Sequence, residues 1–332
     1  MKAVRIHAYG DADVLRFEDV APTKLGPRDL RIAVRATAVN PVDYKLRSGA
    51  QRAVVPLSMP WTLGMDVSGV VTEVGREVDG FAVGDQVFAS PSHRRMGCYA
   101  EEVVVRADEC AHKPASLTHV EAASLPLVGL TAYNALVDAC RIEPGQKVLI
   151  QAGAGGVGTV AIQLAKHLGA EVYTTCSDRN VAMLEGLGAD RVIDYRAERF
   201  EDVAKGCDAV LESMGGDHLD RALATVRPRG TVASITPGLP DYTKRHGAWL
   251  GVLVFGVHLV RRTVAAWMRN GTKLKLVTRR ASGANLAKLA RLVDEGAIRP
   301  VIDRVFRLDE AAEAHRYIET GRARGKVVLQ VA

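Results

Sequence analysis

Apolar and polar positions follow two different rhythms along this chain. Over residues 1–120 the apolar positions fall in short runs, as at 30–34 (L-R-I-A-V), 69–74 (G-V-V-T-E-V) and 103–105 (V-V-V). β-branched residues alternate or cluster in these runs between turn signals, the pattern of short strands. Gly84-Asp85 directly before Gln86-Val87-Phe88 predicts a tight turn into one of them. No long helical period occurs before residues 117–136, so the first part reads as a small antiparallel β-domain, partly barrel-like.

From Ala122 onward strands and helices alternate. Helices are expected at 121–125 and 129–139, then strands at 148–150, 171–175, 191–194, 209–212 and 230–235. Helices at 159–168, 180–187 and 219–226 separate them, which implies a parallel sheet with right-handed crossovers. The tail from Asn285 adds a helix, a strand near 301–306, another helix and a last strand at 326–331. That parallel sheet is complete by about Val277, so the tail is expected to return to the first domain. The expected division is 1–121, 122–279 and a returning segment 280–332.

The parallel part is organised around residues 147–158, K-V-L-I-Q-A-G-A-G-G-V-G. Val148, Leu149 and Ile150 form a buried-strand run, and Gly153, Gly155 and Gly158 then spell G-x-G-x-x-G before a helix. Missing side chains let the backbone approach a pyrophosphate, and the helix start offers free N–H groups and a positive dipole end. Dinucleotide binding by Gly153, Ala154, Gly155, Gly156, Val157 and Gly158 follows.

Composition adds limits to this picture. A chain of 332 residues has room for two domains, and 48% hydrophobic with 25% charged residues is an ordinary globular balance. The net charge of +6 is dispersed, with no basic block interleaved with aromatics, so no nucleic-acid partner is expected. Five cysteines without a C-x-x-C pair argue for reduced thiols, and a cytoplasmic location is the expectation. The N-terminus reads as a strand and lacks a signal peptide's apolar core. The apolar run 249–260 is too short to span a bilayer and stops at Arg261-Arg262, so membrane contact is not expected.

The order of landmarks resembles the medium-chain dehydrogenase/reductase superfamily over essentially the whole chain, and within it the zinc-free quinone oxidoreductase (zeta-crystallin-like) branch. The resemblance is carried by Asn40-Pro41-Val42-Asp43-Tyr44, Leu63-Gly64-Met65-Asp66-Val67-Ser68-Gly69 and Val83-Gly84-Asp85-Gln86-Val87. Gly129-Leu130-Thr131-Ala132-Tyr133, the 153–158 turn, Val192-Ile193-Asp194-Tyr195 and Gly325-Lys326 complete it. The basic tail phrase (G-A-I-R-P-V at 296–301, G-R-A-R-G-K at 321–326) looks especially like the reticulon-interacting mitochondrial reductases and their bacterial and plastid relatives. The resemblance implies an α/β protein with a Rossmann dinucleotide-binding domain and a GroES-like β-rich catalytic domain.

It also implies the chemistry. Zinc-dependent members carry a cysteine near Asn40-Pro41 and Gly-His-Glu where this chain has Gly64-Met65-Asp66, so of these positions only Asp66 could serve zinc. No bound metal is expected. At the end of the second parallel strand, Asp178 lies at about the spacing of a ribose-binding acid, which would favour NADH. Aligned by Gly188-Ala189, however, the acidic position of NAD-using relatives falls on Cys176. Ser177, Arg179 and Tyr195 then match the surroundings of the 2′-phosphate, and NADPH is the expected cofactor. Asp178 alternatively caps the following helix. Thr131, Met214, Gly215, Thr236, Gly325 and Lys326 are further cofactor candidates.

The resembled branch reduces quinones, enones or alkenals, and Asn40, Tyr44 and Lys45 are by position the candidates to orient the carbonyl or donate a proton, with Asp43 holding the loop. An enoyl-thioester reductase and a non-enzymatic NADPH-binding sensor are the rival readings. For residues 239–271 three roles compete: a wall of the substrate site, a dimer interface, or a membrane-surface helix. A homodimer is expected through a sheet edge formed by residues 274–277.

Overall fold

The computed structural model describes residues 1–236 and 238–331. They form two compact units, one of Met1–Leu130 with Arg280–Ala332 and the other of Thr131–Arg279. In chain order the first unit opens with β1 (Lys2–Ile6), β2 (Leu15–Asp19), β3 (Asp29–Val39), α1 (Pro41–Arg47), β4 (Trp61–Thr62) and β5 (Val67–Val74). It continues through β6 (Gln86–Ala89), β7 (Glu102–Arg106), β8 (Cys110–His112), α2 (His119–Ala123) and α3 (Pro126–Tyr133). The second unit holds a π-helical stretch Asn134–Cys140, then β9 (Lys147–Ile150), α4 (Gly156–His167), β10 (Glu171–Cys176), α5 (Val181–Gly186) and β11 (Arg191–Asp194). Next come α6 (Phe200–Val203), β12 (Cys207–Glu212), α7 (Asp217–Thr225), β13 (Val226–Ser234), α8 (Leu239–His246), α9 (Ala248–Asn270) and β14 (Lys273–Leu276). The chain then adds α10 (Gly283–Asp294), β15 (Ile302–Arg307), α11 (Ala311–Glu319) and β16 (Lys326–Gln330).

In the first unit the eleven-residue β3 is the common member, pairing antiparallel with β5, β7 and β16. Its sheet runs β15-β16-β3-β5-β6-β8, and a smaller sheet runs β2-β1-β4. Inward residues such as Leu30, Ile32, Val67, Val87, Val105 and Leu329 close the core, as alternation on half-buried strands requires. The last strand therefore builds into the first sheet, with Val327 opposite Val39.

The second unit is a six-stranded parallel sheet in the order β11-β10-β9-β12-β13-β14. Strand order reverses on either side of β9, and the carboxyl ends of β9 and β12 flank the crevice where such sheets take a dinucleotide. Leu149, Ile193, Phe200, Val210 and Leu219 pack one face.

Three features differ from the sequence expectation. Residues 41–47 form helix α1, which begins at Pro41 and has the Asp43 side chain accepting from the Asn40 N–H at 2.8 Å. At seven residues it is too short to show a period. The first boundary falls after Leu130 and not after 121, because Leu127 N–H donates to the buried Asp66 carboxylate at 2.6 Å and ties this stretch to the β-unit. Helix α9 does not stop at Arg261-Arg262 but runs to Asn270, and Trp249–Asn270 is long and apolar enough to cross a membrane by length and composition. Only 11% of its most apolar window is buried. The expected sheet edge is where the sequence placed it: β14 is an edge strand of four residues, and it bears Lys273 and Lys275, where edge lysines oppose pairing with another strand.

Gly325 sets the register of the returning strand. Its φ is +79°, and a Cβ there would meet the Val301 carbonyl oxygen at 2.2 Å. Gly325→Ala should destabilise the protein by about 2–4 kcal/mol, through left-handed strain plus overpacking. A denaturant melt with an unchanged midpoint would refute this.

Candidate functional site

Two sets of residues stand out, one in each unit. In the second unit the turn after β9 is shaped for close backbone approach. A Cβ on Gly153 would lie 2.1 Å from Thr174 Oγ1, and one on Gly158 would lie 2.5 Å from the Ala152 carbonyl oxygen. Ala154, Gly155, Gly156 and Val157 remain partly exposed between them. The N-cap of α4 is Gly155, no side chain caps the helix, and its first turn carries no acidic residue. N–H groups left without a capping side chain, at the positive end of a twelve-residue helix, suit an anion. The cradle therefore fits a dinucleotide pyrophosphate.

The end of β10 decides which dinucleotide the turn suits. Cys176 is buried and its thiol is pushed up to about 11, first by burial, so it stays neutral where an NAD-using chain would hold an acid. Ser177 is buried and accepts from Asn180 Nδ2 at 3.3 Å, which leaves its hydroxyl proton directed elsewhere. Asp178 and Arg179 are exposed, and the Asp178 carboxylate lies 3.6 Å from the Arg196 guanidinium. Asp178 does not cap the next helix; it is the first residue of a short 3₁₀ turn whose N-cap is Ser177. The Tyr195 N–H donates to the Cys176 carbonyl at 3.1 Å, so exposed Tyr195 and Arg196 stand beside this strand end. Sequence reasoning missed Arg196, whose only signal is that it follows Tyr195.

At the end of β12, buried Glu212 braces the loop that carries Met214 and Gly215. Its Oε1 accepts from the N–H of Met214 (2.7 Å) and of Gly215 (2.5 Å), and its Oε2 from Ser234 Oγ (2.6 Å). Gly215 has φ +72°, and a Cβ there would meet the Thr236 carbonyl oxygen at 2.5 Å. Met214 is exposed, Thr236 half-buried and Thr131 buried.

The first unit contains a buried polar cluster. Asn40, Asp66 and Lys326 converge: Asn40 Nδ2 donates to Asp66 Oδ2 at 2.8 Å, and the Lys326 ammonium donates to the same oxygen at 3.1 Å and to Asn40 Oδ1. Asn40 is fully buried, and its amide donates to Asp66 and to the Ala38 carbonyl while its oxygen accepts from Lys326. Lys326, a cofactor candidate from sequence, is likewise buried, with its charge on Asp66. Gly325 serves the backbone turn described above. Tyr44 and Lys45, half-buried on α1, are the two candidates whose side chains keep partial exposure.

A second chain of contacts, invisible in the sequence, braces α1 from below. Arg47 Nη2 donates to Glu319 at 2.5 Å and its Nη1 to His315 Nδ1 at 3.1 Å. Arginine can only donate, so Nδ1 accepts and the imidazole proton sits on Nε2, 3.2 Å from Tyr99 Oη. Tyr99 in turn donates to Asp43 Oδ2 at 3.0 Å. Burial pushes Asp43 up to about 7 and holds Tyr99 well above the ordinary phenol range. Tyr44 is also raised, first by burial and then by Glu319, so its phenol keeps its proton.

The residues at the zinc positions of metal-dependent relatives do not fit that metal. Asn40 offers an amide, Met65 a thioether, and both Asp66 oxygens are already engaged. Among the described residues no three His, Cys, Asp or Glu side chains cluster as a metal site.

A parallel sheet with this glycine turn, joined in sequence to a β-unit of this build, defines an oxidoreductase that works with a nicotinamide dinucleotide. Residues 26–115 match the alcohol dehydrogenase GroES-like domain, and residues 187–329 match the zinc-binding dehydrogenase domain. The whole chain is 38% identical to the mouse mitochondrial NAD(P)H oxidoreductase RTN4IP1, covering 89% of it. It is 33% identical, over 99% of its length, to a chloroplastic NADPH-dependent alkenal/one oxidoreductase of Arabidopsis thaliana, of which it covers 79%. The solved quinone oxidoreductase of Coxiella burnetii superposes with a TM-score of 0.86 at 33% identity, covering 100% of this chain and 99% of that one. The chain belongs to the medium-chain dehydrogenase/reductase superfamily.

One expectation is corrected here. The NAD(P)H oxidoreductases RTN4IP1, 37–38% identical over the whole chain, are mitochondrial proteins, and this overturns the cytoplasmic placement. Free cysteines persist in any reducing compartment and could not tell the two apart.

The brace under α1 has a pH signature. Burial, then Arg47, lowers His315 from 6.5 to about 3. A depressed pKa gives stability that is full above pH 6.5 and is lost as pH falls towards 3. His315→Gln retains an acceptor for Arg47 and removes the titration. Between pH 5.5 and 4 wild type should lose about 1.4 kcal/mol per pH unit more than the variant. Urea melts with equal slopes for the two would show that His315 is not held neutral.

Proposed function

We propose that the protein is a zinc-independent reductase that takes hydride from NADPH and delivers it to quinones or α,β-unsaturated carbonyls, working as a homodimer. The observation that carries this reading is the combination of an uncapped glycine cradle with an Asn40–Asp66–Lys326 cluster at the zinc-ligand positions. When bound, the nicotinamide supplies the hydride, and the protein has to align it, keep water away and manage one proton. Gly153, Gly155 and Gly158 admit the pyrophosphate, while Ser177, Arg179 and Tyr195, joined by Arg196, take the 2′-phosphate. Asn40 and Asp43 hold the start of α1, the helix that carries Tyr44 and Lys45. The Tyr44 phenol, kept protonated, is the proton donor to a developing enolate, and Lys45 is the second candidate.

Turnover decides the reading. After exhaustive chelation the protein should oxidise NADPH with a simple quinone and a simple enone; turnover of enoyl thioesters alone would assign it to another branch, and oxidation with none would leave a binding protein. With the enone, Tyr44→Phe should lower kcat by about 10²–10⁴-fold with little change in NADPH affinity. A loss of tenfold or less means the phenol only positions the substrate.

The nucleotide preference has its own test. Arg179→Ala should weaken NADPH binding by about 1.5–3 kcal/mol, the worth of a hydrogen bond to a charged group, and leave NADH nearly untouched. Equal affinities of the unmutated protein for the two nucleotides would make Asp178 a ribose ligand instead.

A further inference from the structure

Helix α9 presents to solvent the largest apolar surface described in this chain. Trp249, Leu250, Leu253, Val257, Val260, Val264, Trp267 and Met268 are all exposed, Trp249 at 92%, Met268 at 74% and Trp267 at 66%. At 100° per residue they lie on one stripe of the helix, about 27 Å from Trp249 to Trp267. Phe255, Leu259 and Ala266 turn towards the other side and are less exposed. An apolar stripe of this extent on a folded domain marks an interaction surface.

We infer that a second copy of the same helix, running antiparallel, covers this stripe, and that the α9 pair is the seam of the homodimer. This rests on the homodimer reading above and moves its seam away from the lysine-bearing edge strand β14. Two properties of the stripe single out a second copy. A twofold seam must be complementary to itself, so that a residue i meets j while j meets i. The α9 stripe has that property about a centre between His258 and Leu259. Across it Val257 faces Val260, Leu253 faces Val264, Leu250 faces Trp267 and Trp249 faces Met268, every one exposed and apolar. The small Gly256, whose Cβ direction is open, falls beside the centre and lets the two backbones come close.

The second property is size. At 92% and 66% exposure the two tryptophans alone offer about 240–400 Å², against the ~800 Å² per partner of a standard interface. The remaining six residues extend that area along the whole stripe. The charges do not obstruct the contact: Arg262 and Arg269 lie off the stripe, Arg262 pairing with Asp220 at 2.8 Å, and Arg261 flanks it. Those arginines, two of them mid-helix, argue against a transmembrane course. A lipid surface in the plane of the helix is the competing occupant.

Sedimentation velocity at micromolar concentration tests the inference with three proteins. Wild type should be a dimer and Leu253→Glu a folded monomer with an unchanged far-UV circular dichroism spectrum, because residue 253 is exposed in the single chain. Adding Val264→Lys to Leu253→Glu should restore the dimer, since in the antiparallel register each new carboxylate faces the new ammonium of the other copy. A dimer that survives Leu253→Glu removes α9 as the seam and leaves the homodimer reading standing. Loss without rescue overturns the antiparallel register. A wild-type monomer sinks both the seam and the homodimer. If that monomer co-sediments with anionic phosphatidylserine vesicles and Leu253→Glu does not, the stripe belongs to a lipid surface instead.

Discussion

The ammonium of Lys326 lies against the carboxylate of Asp66 where neither side chain has more than a trace of solvent. A buried charge needs a partner, and removing one member of such a pair typically costs about 3–5 kcal/mol. Much of the first unit's order depends on this contact. Lys326 opens the last strand, Asp66 precedes β5, and Asn40, the third member, starts α1 directly after β3. Asp66 also receives the Leu127 N–H and so draws the approach to the second unit into the same cluster. One carboxylate thereby joins four segments that are far apart in the chain.

Where zinc-dependent relatives of this superfamily place a metal, this chain has a lysine–aspartate pair with an amide. Both arrangements tie the loop after β3 to the segment before β5. Both Asp66 oxygens are engaged, Oδ1 by the Leu127 N–H and Oδ2 by Asn40 and Lys326. Of the sequence candidates for a catalytic role, Tyr44 and Lys45 on α1 are the two that keep some exposure. The Glu319–Arg47–His315–Tyr99–Asp43 chain holds the same helix from its buried side, which fixes the direction in which those two residues project.

In the second unit the decisive constraint is space. Gly153 and Gly158 are small because Thr174 and the Ala152 carbonyl occupy the positions a Cβ would need. Glu212 plays the corresponding part at the end of β12, where its carboxylate replaces water as acceptor for two loop N–H groups. The loops at the carboxyl ends of both strands are thus held open and ordered.

Strand–helix alternation after residue 122 and the glycine spacing at 153–158 were legible in the sequence because they are local. A buried parallel strand needs a continuous apolar run, and a phosphate turn needs glycine at set intervals. The amide at position 40 and the thioether at position 65, where zinc-dependent relatives have other side chains, could be read the same way, residue by residue. Helix α1 escaped because seven residues hold too few turns to show a period. His315 and Tyr99 carried no mark of their role, since their partners lie 268 and 56 residues away and a lone buried His or Tyr resembles any core residue. The apolar stretch of α9 was plain in composition, but which side of it faces water is not a property of composition. Local pattern determined which elements form and where a dinucleotide's phosphates fit; only the tertiary structure decided which polar groups are buried together and which apolar face is left uncovered, because both depend on contacts between segments distant in the chain.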